Sequence, residues 1–156
     1  MSTLLEAIDF LNVQQQELCD SAQELIDGYW GWFTEENNRI STERANGLTD
    51  KSVAKHAPVL SFVKSGSAKK PYLMWRVFDA SPIRKVNPKY SGYIPMPKTG
   101  NYLEYLSKKC TWEASHATEL EKQLSVIREE INGLNQAIVR LRAAERKIQK
   151  LNSIHQ

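Results

Sequence analysis

Eight cations fall between Lys64 and Lys98, threaded among aromatic and apolar side chains, with Asp79 the one acid in their midst. They are Lys64, Lys69, Lys70, Arg76, Arg84, Lys85, Lys89 and Lys98. Cations grouped in this way bind phosphate: lysine as a point charge, arginine through paired hydrogen bonds. Arg76 stands between Met74 and Phe78, with Tyr72 beyond, and in an extended strand these alternate residues share one face. Cations interleaved with aromatic rings suit a stacking surface for single strands. A two-stranded ribbon carrying them also fits a DNA major groove. The bland readings are a solvated lysine-rich turn, or a basic module that neutralises acids elsewhere in the chain.

Catalytic chemistry has little to build on. His56, His116 and His155 are scattered, and none stands at metal-ligand spacing with a cysteine or an acid. There is no CxxC, HExxH or glycine-rich phosphate loop. Tyr90 and Tyr93 could be nucleophiles in DNA strand transfer, but they lack a companion histidine cluster or Arg/His constellation. The expectation is a protein without enzymatic activity, metal or cofactor. Cys19 and Cys110 read as reduced thiols, although a single disulfide stays open.

The charge that supplies the basic set is segregated. Residues 1–54 carry 3 basic and 10 acidic side chains, and residues 55–98 carry 9 and 1, inside a formal net charge of +3. Such asymmetry makes a local field that the net charge conceals. The opening residues have no basic n-region or apolar run, and no stretch is long and apolar enough to span a membrane. A cytoplasmic protein is expected.

Outward from the basic stretch, PVLSFV at 58–63 and PYLMWRVF at 71–78 flank KSGSAKK, the pattern of a β-hairpin with its turn at 64–70. Leu73, Trp75 and Val77 point to one face, and Tyr72, Met74, Arg76 and Phe78 to the other. Pro82, Pro88, Pro95 and Pro97 exclude helix over 82–98 and leave room for a short strand at Tyr90–Ile94. The basic hairpin module is thus 57–98.

Helices lie on both sides. Residues 3–33 show a seam of Leu4, Ile8, Leu11, Gln15, Leu18, Ala22, Leu25, Tyr29 and Trp32, with Thr3 and Glu6 at capping-box spacing. Tyr29, Trp30, Trp32 and Phe33 at its end read as a plug into the core; an exposed stacking platform is the other use open to them. Gly28 and Gly31 weaken that last turn. Residues 34–56 read as a polar connector, with room for a short helix before the Asn46-Gly47 turn. Residues 101–152 are helical, either as one helix or as two. Their seam is Leu120, Leu124, Ile127, Ile131, Leu134, Ile138 and Leu141. From about Thr111 to Asn152 such a helix is roughly 60 Å long. It pairs antiparallel with the first helix and outruns it, which points to a second copy and a homodimer. Arg142, Arg146 and Lys150 near its end either complement the helix dipole or add a phosphate contact.

The order of these features resembles the MobI-type auxiliary mobilisation proteins of conjugative plasmids and integrative conjugative elements. It is carried by GYWGWF at 28–33, PYLMWRVF at 71–78, SPIRK at 81–85 and the long terminal helix. The resemblance implies a cytoplasmic, non-enzymatic DNA-binding factor that acts at an origin of transfer and helps a relaxase nick and load the strand. The expected fold is α+β in one domain, 1–156: a small antiparallel sheet against two long antiparallel helices. The expected partners are duplex or single-stranded DNA, a relaxase or other transfer protein, and a second copy, with no membrane. The competing function is a coiled-coil interaction adaptor that binds no nucleic acid.

Overall fold

The computed structural model describes residues 2–65, 68–78 and 91–155. The elements are α1 (Thr3–Ala45), β1 (His56–Ser65), β2 (Ala68–Phe78), β3 (Ser91–Tyr93), α2 (Leu103–Lys109) and α3 (Ala114–Ile154). The strands form one antiparallel sheet in the order β1-β2-β3. The class is α+β, as expected, with two long helices.

Helix α1 does not stop at residue 33. It runs 43 residues, through Gly28 and Gly31 and through most of the stretch read as a connector. Each glycine costs about 1 kcal/mol against alanine. The aromatic cluster around them outweighs this, because Tyr29 and Phe33 are buried while the space beside both glycines is open. These rings plug the core rather than form an exposed platform. Tyr29 stands edge-on to Trp75 and stacks on Phe33, and Trp30 stands edge-on to Phe78. Burial of a ring with such neighbours stabilises by a few kcal/mol. The extension is anchored at Asn37, whose amide donates to Ala54 O at 3.1 Å and accepts from Ala54 N at 2.7 Å. The helix stops at Asn46-Gly47, where Gly47 takes a φ of 69°. Its N-cap is Ser2, one residue earlier than the Thr3 capping box: Ser2 Oγ accepts from Leu5 N at 3.1 Å.

The 101–152 stretch divides in two, α2 and α3, with a corner at Cys110–Glu113. Helices α1 and α3 run antiparallel. Ser2 Oγ donates to Glu145 Oε2 at 2.9 Å at one end of the pair, and Trp32 stacks on His116 at 3.8 Å at the other. Both seams are rotated slightly from expectation. In α3 the buried residues are Ala117, Glu121, Leu124, Arg128, Ile131, Ile138 and Glu145, with Leu120 beside them. Ile127, Leu134 and Leu141 are half-buried. In α1 the deep positions are Ile8, Cys19, Ala22, Ile26, Tyr29 and Phe33, while Leu11, Leu18, Leu25 and Trp32 flank them. Each helix packs against the sheet as well as its partner, so its apolar stripe is wider than a two-residue seam.

The hairpin is tighter than the sequence implied. Its strands pair from His56↔Val77 to Ser65↔Ala68, so Lys64, Lys69 and Lys70 are strand residues rather than turn residues. Pro71, Leu73 and Trp75 face the core, as does Leu60 opposite Leu73. Phe78 breaks the expected alternation and is buried against Trp30 and Phe33. Strand β3 pairs Tyr93 with Arg76, close to the strand expected at Tyr90–Ile94. Both cysteines are buried free thiols.

Candidate nucleic-acid interface

The register sorts the expected cations onto the two faces of the ribbon. Lys64 and Lys69 stand directly opposite one another and project from the tip on the side that lower down becomes core. Lys70 and Arg76 alternate with them and lie on the other side, with Tyr72 and Met74 between. They are six residues apart, roughly 20 Å along an extended strand. Lys98 is exposed on the segment that follows β3. Arg84, Lys85 and Lys89, together with Tyr90, lie outside the described residues.

Two of these cations are seated on rings. The Lys70 ammonium is 5.0 Å from the centroid of Tyr72, and the Arg76 guanidinium is 4.1 Å from that of Tyr93. Both rings stay open to solvent, with Tyr72 37% and Tyr93 47% exposed. Phe62 and Val63 are exposed on the facing strand. None of Lys64, Lys69, Lys70 and Lys98 is ion-paired with another described residue. On α1 the acids Glu6, Asp9, Glu17, Asp20, Glu24 and Asp27 are exposed, while Glu36 and Glu43 pair with Arg39 of the same helix.

Beside this face a groove of about 320 Å³ separates the hairpin from α3. Its walls include Lys70, Tyr72, Met74 and Met96, with Arg128 and Asn132 from the helix. What holds the hairpin at this distance is a buried ion pair that apolar patterning alone does not announce. Arg128 and Glu121 meet side-on, Nη1 to Oε2 at 2.9 Å and Nη2 to Oε1 at 3.0 Å. Arg128 Nε donates to Leu73 O at 3.0 Å. The Glu121 carboxylate also accepts from Trp75 Nε1 at 2.9 Å and from Tyr102 N at 2.8 Å. One carboxylate therefore joins α3 to β2 and to the start of α2. The only signal in the sequence is a Glu and an Arg seven residues apart beside an apolar seam, which places them two turns apart on one face.

A different corner holds the residues of metal-ligating type. His56, Cys110 and Glu113 are brought together by folding from positions 57 residues apart at the extremes. Burial lowers the His56 imidazole below its usual range, and burial with the Glu113 charge pushes the Cys110 thiol up to about 12. Among the described residues no helix is long and apolar enough to cross a membrane.

No curated protein and no solved structure matches the chain. Residues 18–142, by contrast, match a protein family described as MobI protein. That span runs from Leu18, ahead of the aromatic end of α1, through the hairpin, the groove and the Glu121–Arg128 pair to Arg142 on α3. The match takes in most of the chain and all or part of every element of the fold, and the protein therefore belongs to the MobI family.

Proposed function

We propose that this protein is a DNA-binding accessory factor of conjugative mobilisation that assists a relaxase at the origin of transfer, without chemistry of its own. Membership of the MobI family makes it a mobilisation protein. The observation that carries DNA binding is the outer face of the hairpin. There, Lys70 and Arg76 sit on tyrosine rings that remain open to solvent. No described carboxylate pairs with Lys64, Lys69 or Lys70 at the tip. A basic module built to offset α1 would set its lysines against the α1 acids, and those acids face solvent or pair with Arg39 on their own helix instead.

The test is a titration of labelled duplex and single-stranded DNA at several salt concentrations. Log affinity falls with log salt at about −0.9 per phosphate neutralised on duplex, and about −0.7 on single strands. Replacing Lys64, Lys69, Lys70 and Lys98 by Ala flattens the slope by one such increment for each phosphate no longer neutralised. A second chain with Arg84, Lys85 and Lys89 replaced measures three more of the set, and Arg76→Ala alone measures the last. Unchanged affinity and slope in all three chains would remove the hairpin from the interface.

The adaptor reading draws on one observation, and here it supplies the dimer contact. Helix α3 outruns α1 beyond Glu145, and residues 146–155 are all exposed. Ile148, Leu151 and Ile154 on this overhang are 38%, 56% and 74% exposed. We propose that the overhang pairs with that of a second copy, placing two hairpins on one DNA. Replacing all three by Glu in the full chain converts a dimer to a monomer in sedimentation equilibrium, with circular dichroism unchanged. A wild-type chain that sediments as a monomer rejects the contact.

A further inference from the structure

Where β1, α2 and α3 meet, three side chains of metal-ligating chemistry close on one point. His56 opens β1, Cys110 ends α2, and Glu113 immediately precedes α3. Their imidazole nitrogen, thiol sulfur and carboxylate oxygen lie within 4.8 Å of one another. All three residues are buried, at 8%, 8% and 2% exposure. Ligands about 2.0–2.3 Å from a shared tetrahedral centre stand roughly 3.3–3.7 Å apart. An inward shift of about an ångström completes that geometry.

The hydrogen bonding of the cluster leaves work that a cation would do. His56 Nδ1 is buried with no hydrogen-bond partner among the described residues. The other ring nitrogen, Nε2, lies 3.4 Å from the Tyr105 hydroxyl. That contact would orient the ring as an outer partner does for a ligating histidine, and Nδ1 is the nitrogen it leaves without a partner among the described residues. Glu113 occupies the N-cap position of α3, yet its carboxylate makes no capping bond. It turns inward, where it accepts from Thr111 Oγ1 at 3.1 Å and lies against the Cys110 thiol. The equally buried Glu121 meets a guanidinium, an indole N–H and a backbone N–H. A buried carboxylate with as little compensation as Glu113 is costly, and a divalent cation would offset that cost.

We infer that His56, Cys110 and Glu113 bind one zinc ion, with a fourth position left to water. Thiolate, imidazole and carboxylate together select zinc over magnesium or calcium. As the zinc–sulfur bond forms, Cys110 releases its proton to solvent, His56 binds as the neutral imidazole and Glu113 as the carboxylate. The loaded cluster is then neutral, since two anionic ligands match the ion. The ion ties the first strand to the α2–α3 corner.

The full chain, stripped with chelator, is titrated with Co²⁺. The expected result is a thiolate-to-cobalt charge-transfer band, with the intense visible bands of tetrahedral cobalt, saturating at one equivalent and displaced by zinc. Zinc at a hundred times its Kd raises Tm by about 5–10 °C. Cys110→Ala loses the band, and Glu113→Gln weakens cobalt binding at least tenfold. Cys19→Ser keeps the band, and with one thiol remaining it assigns the signal to Cys110 whether or not the Cys110 variant folds. No band in the wild-type or Cys19→Ser chain, or a band that survives Cys110→Ala, overturns the site.

Discussion

Replacing Arg128 by Met lowers stability by about 3–5 kcal/mol, the cost of leaving one charge of a buried pair alone. For a chain of this size, that is a fall in Tm on the order of 10 °C. Urea unfolding followed by circular dichroism measures it. The effect is large because Glu121 is fully buried and Arg128 nearly so, leaving no water to solvate a stranded carboxylate. Trp75 and Tyr102 would still donate to Glu121, but neither carries a charge. Glu121→Gln strands the guanidinium in the same way. The double variant, Glu121→Gln with Arg128→Met, loses less than the two single changes together, since neither charge is left alone. A coupling above about 1 kcal/mol is expected of side chains in direct contact, and strict additivity would show that the pair does not act as a unit. Arg128 also lines the groove beside the hairpin and bonds the β2 carbonyl of Leu73. Its loss therefore loosens the sheet on α3 as well as the core.

That pair marks the boundary of what the sequence disclosed. Apolar periodicity reported both long helices, their antiparallel pairing and the hairpin, because burial of one face leaves a regular trace in residue type. The trace is coarse. On both helices the expected seam chose the apolar member at alternate steps, Leu11, Leu18 and Leu25 or Leu120, Ile127 and Leu134. The most buried neighbours are Cys19 and Ile26 or Glu121 and Arg128. A Glu and an Arg on a charged helix look like solvent-facing residues, and only the fold shows Trp75, Leu73 and Tyr102 converging on them. That the short helix allowed at Glu35–Ala45 continues α1 was hidden in the same way: its anchor is Asn37, a polar residue satisfied by a segment 17 positions away. His56, Cys110 and Glu113 left no spacing signal at all, since a ligand set assembled from a strand and a helix corner has no fixed interval. The cations were visible as a composition, but their division between two faces of the ribbon depended on strands that pair as far as Ser65↔Ala68, into the stretch KSGSAKK that read as the turn.

That division leads to the second large effect. Tyr72→Leu and Tyr93→Leu each weaken single-stranded DNA binding on the order of 10- to 100-fold, the equivalent of about 1–3 kcal/mol per stacked base. Duplex affinity changes by less than about threefold, since paired bases offer no free face to stack on. Leucine keeps the bulk that packs beside Met74 and Arg76 but has no π-face, so the comparison isolates stacking; Tyr72→Phe, which keeps the ring, retains affinity. The reason lies in how each ring is held. Lys70 and Arg76 are seated on the two tyrosines, yet both rings remain substantially exposed, so a base can meet either ring while Lys70 meets a neighbouring phosphate. The groove beside Tyr72 and Met74 is at the lower end of the size range of ligand pockets, about 300–1,000 Å³. Among the described residues neither Lys64 nor Lys69 is seated on a tyrosine, although Phe62 is exposed on their face, and replacing these lysines weakens duplex and single strand alike. Binding of both DNA forms by anisotropy, wild type beside the three tyrosine variants, decides the matter. Equal losses on duplex and single strand would mean that the ribbon enters a groove of paired DNA. A strand-selective loss would place this face on DNA that has already been opened, which is the form a relaxase must be given.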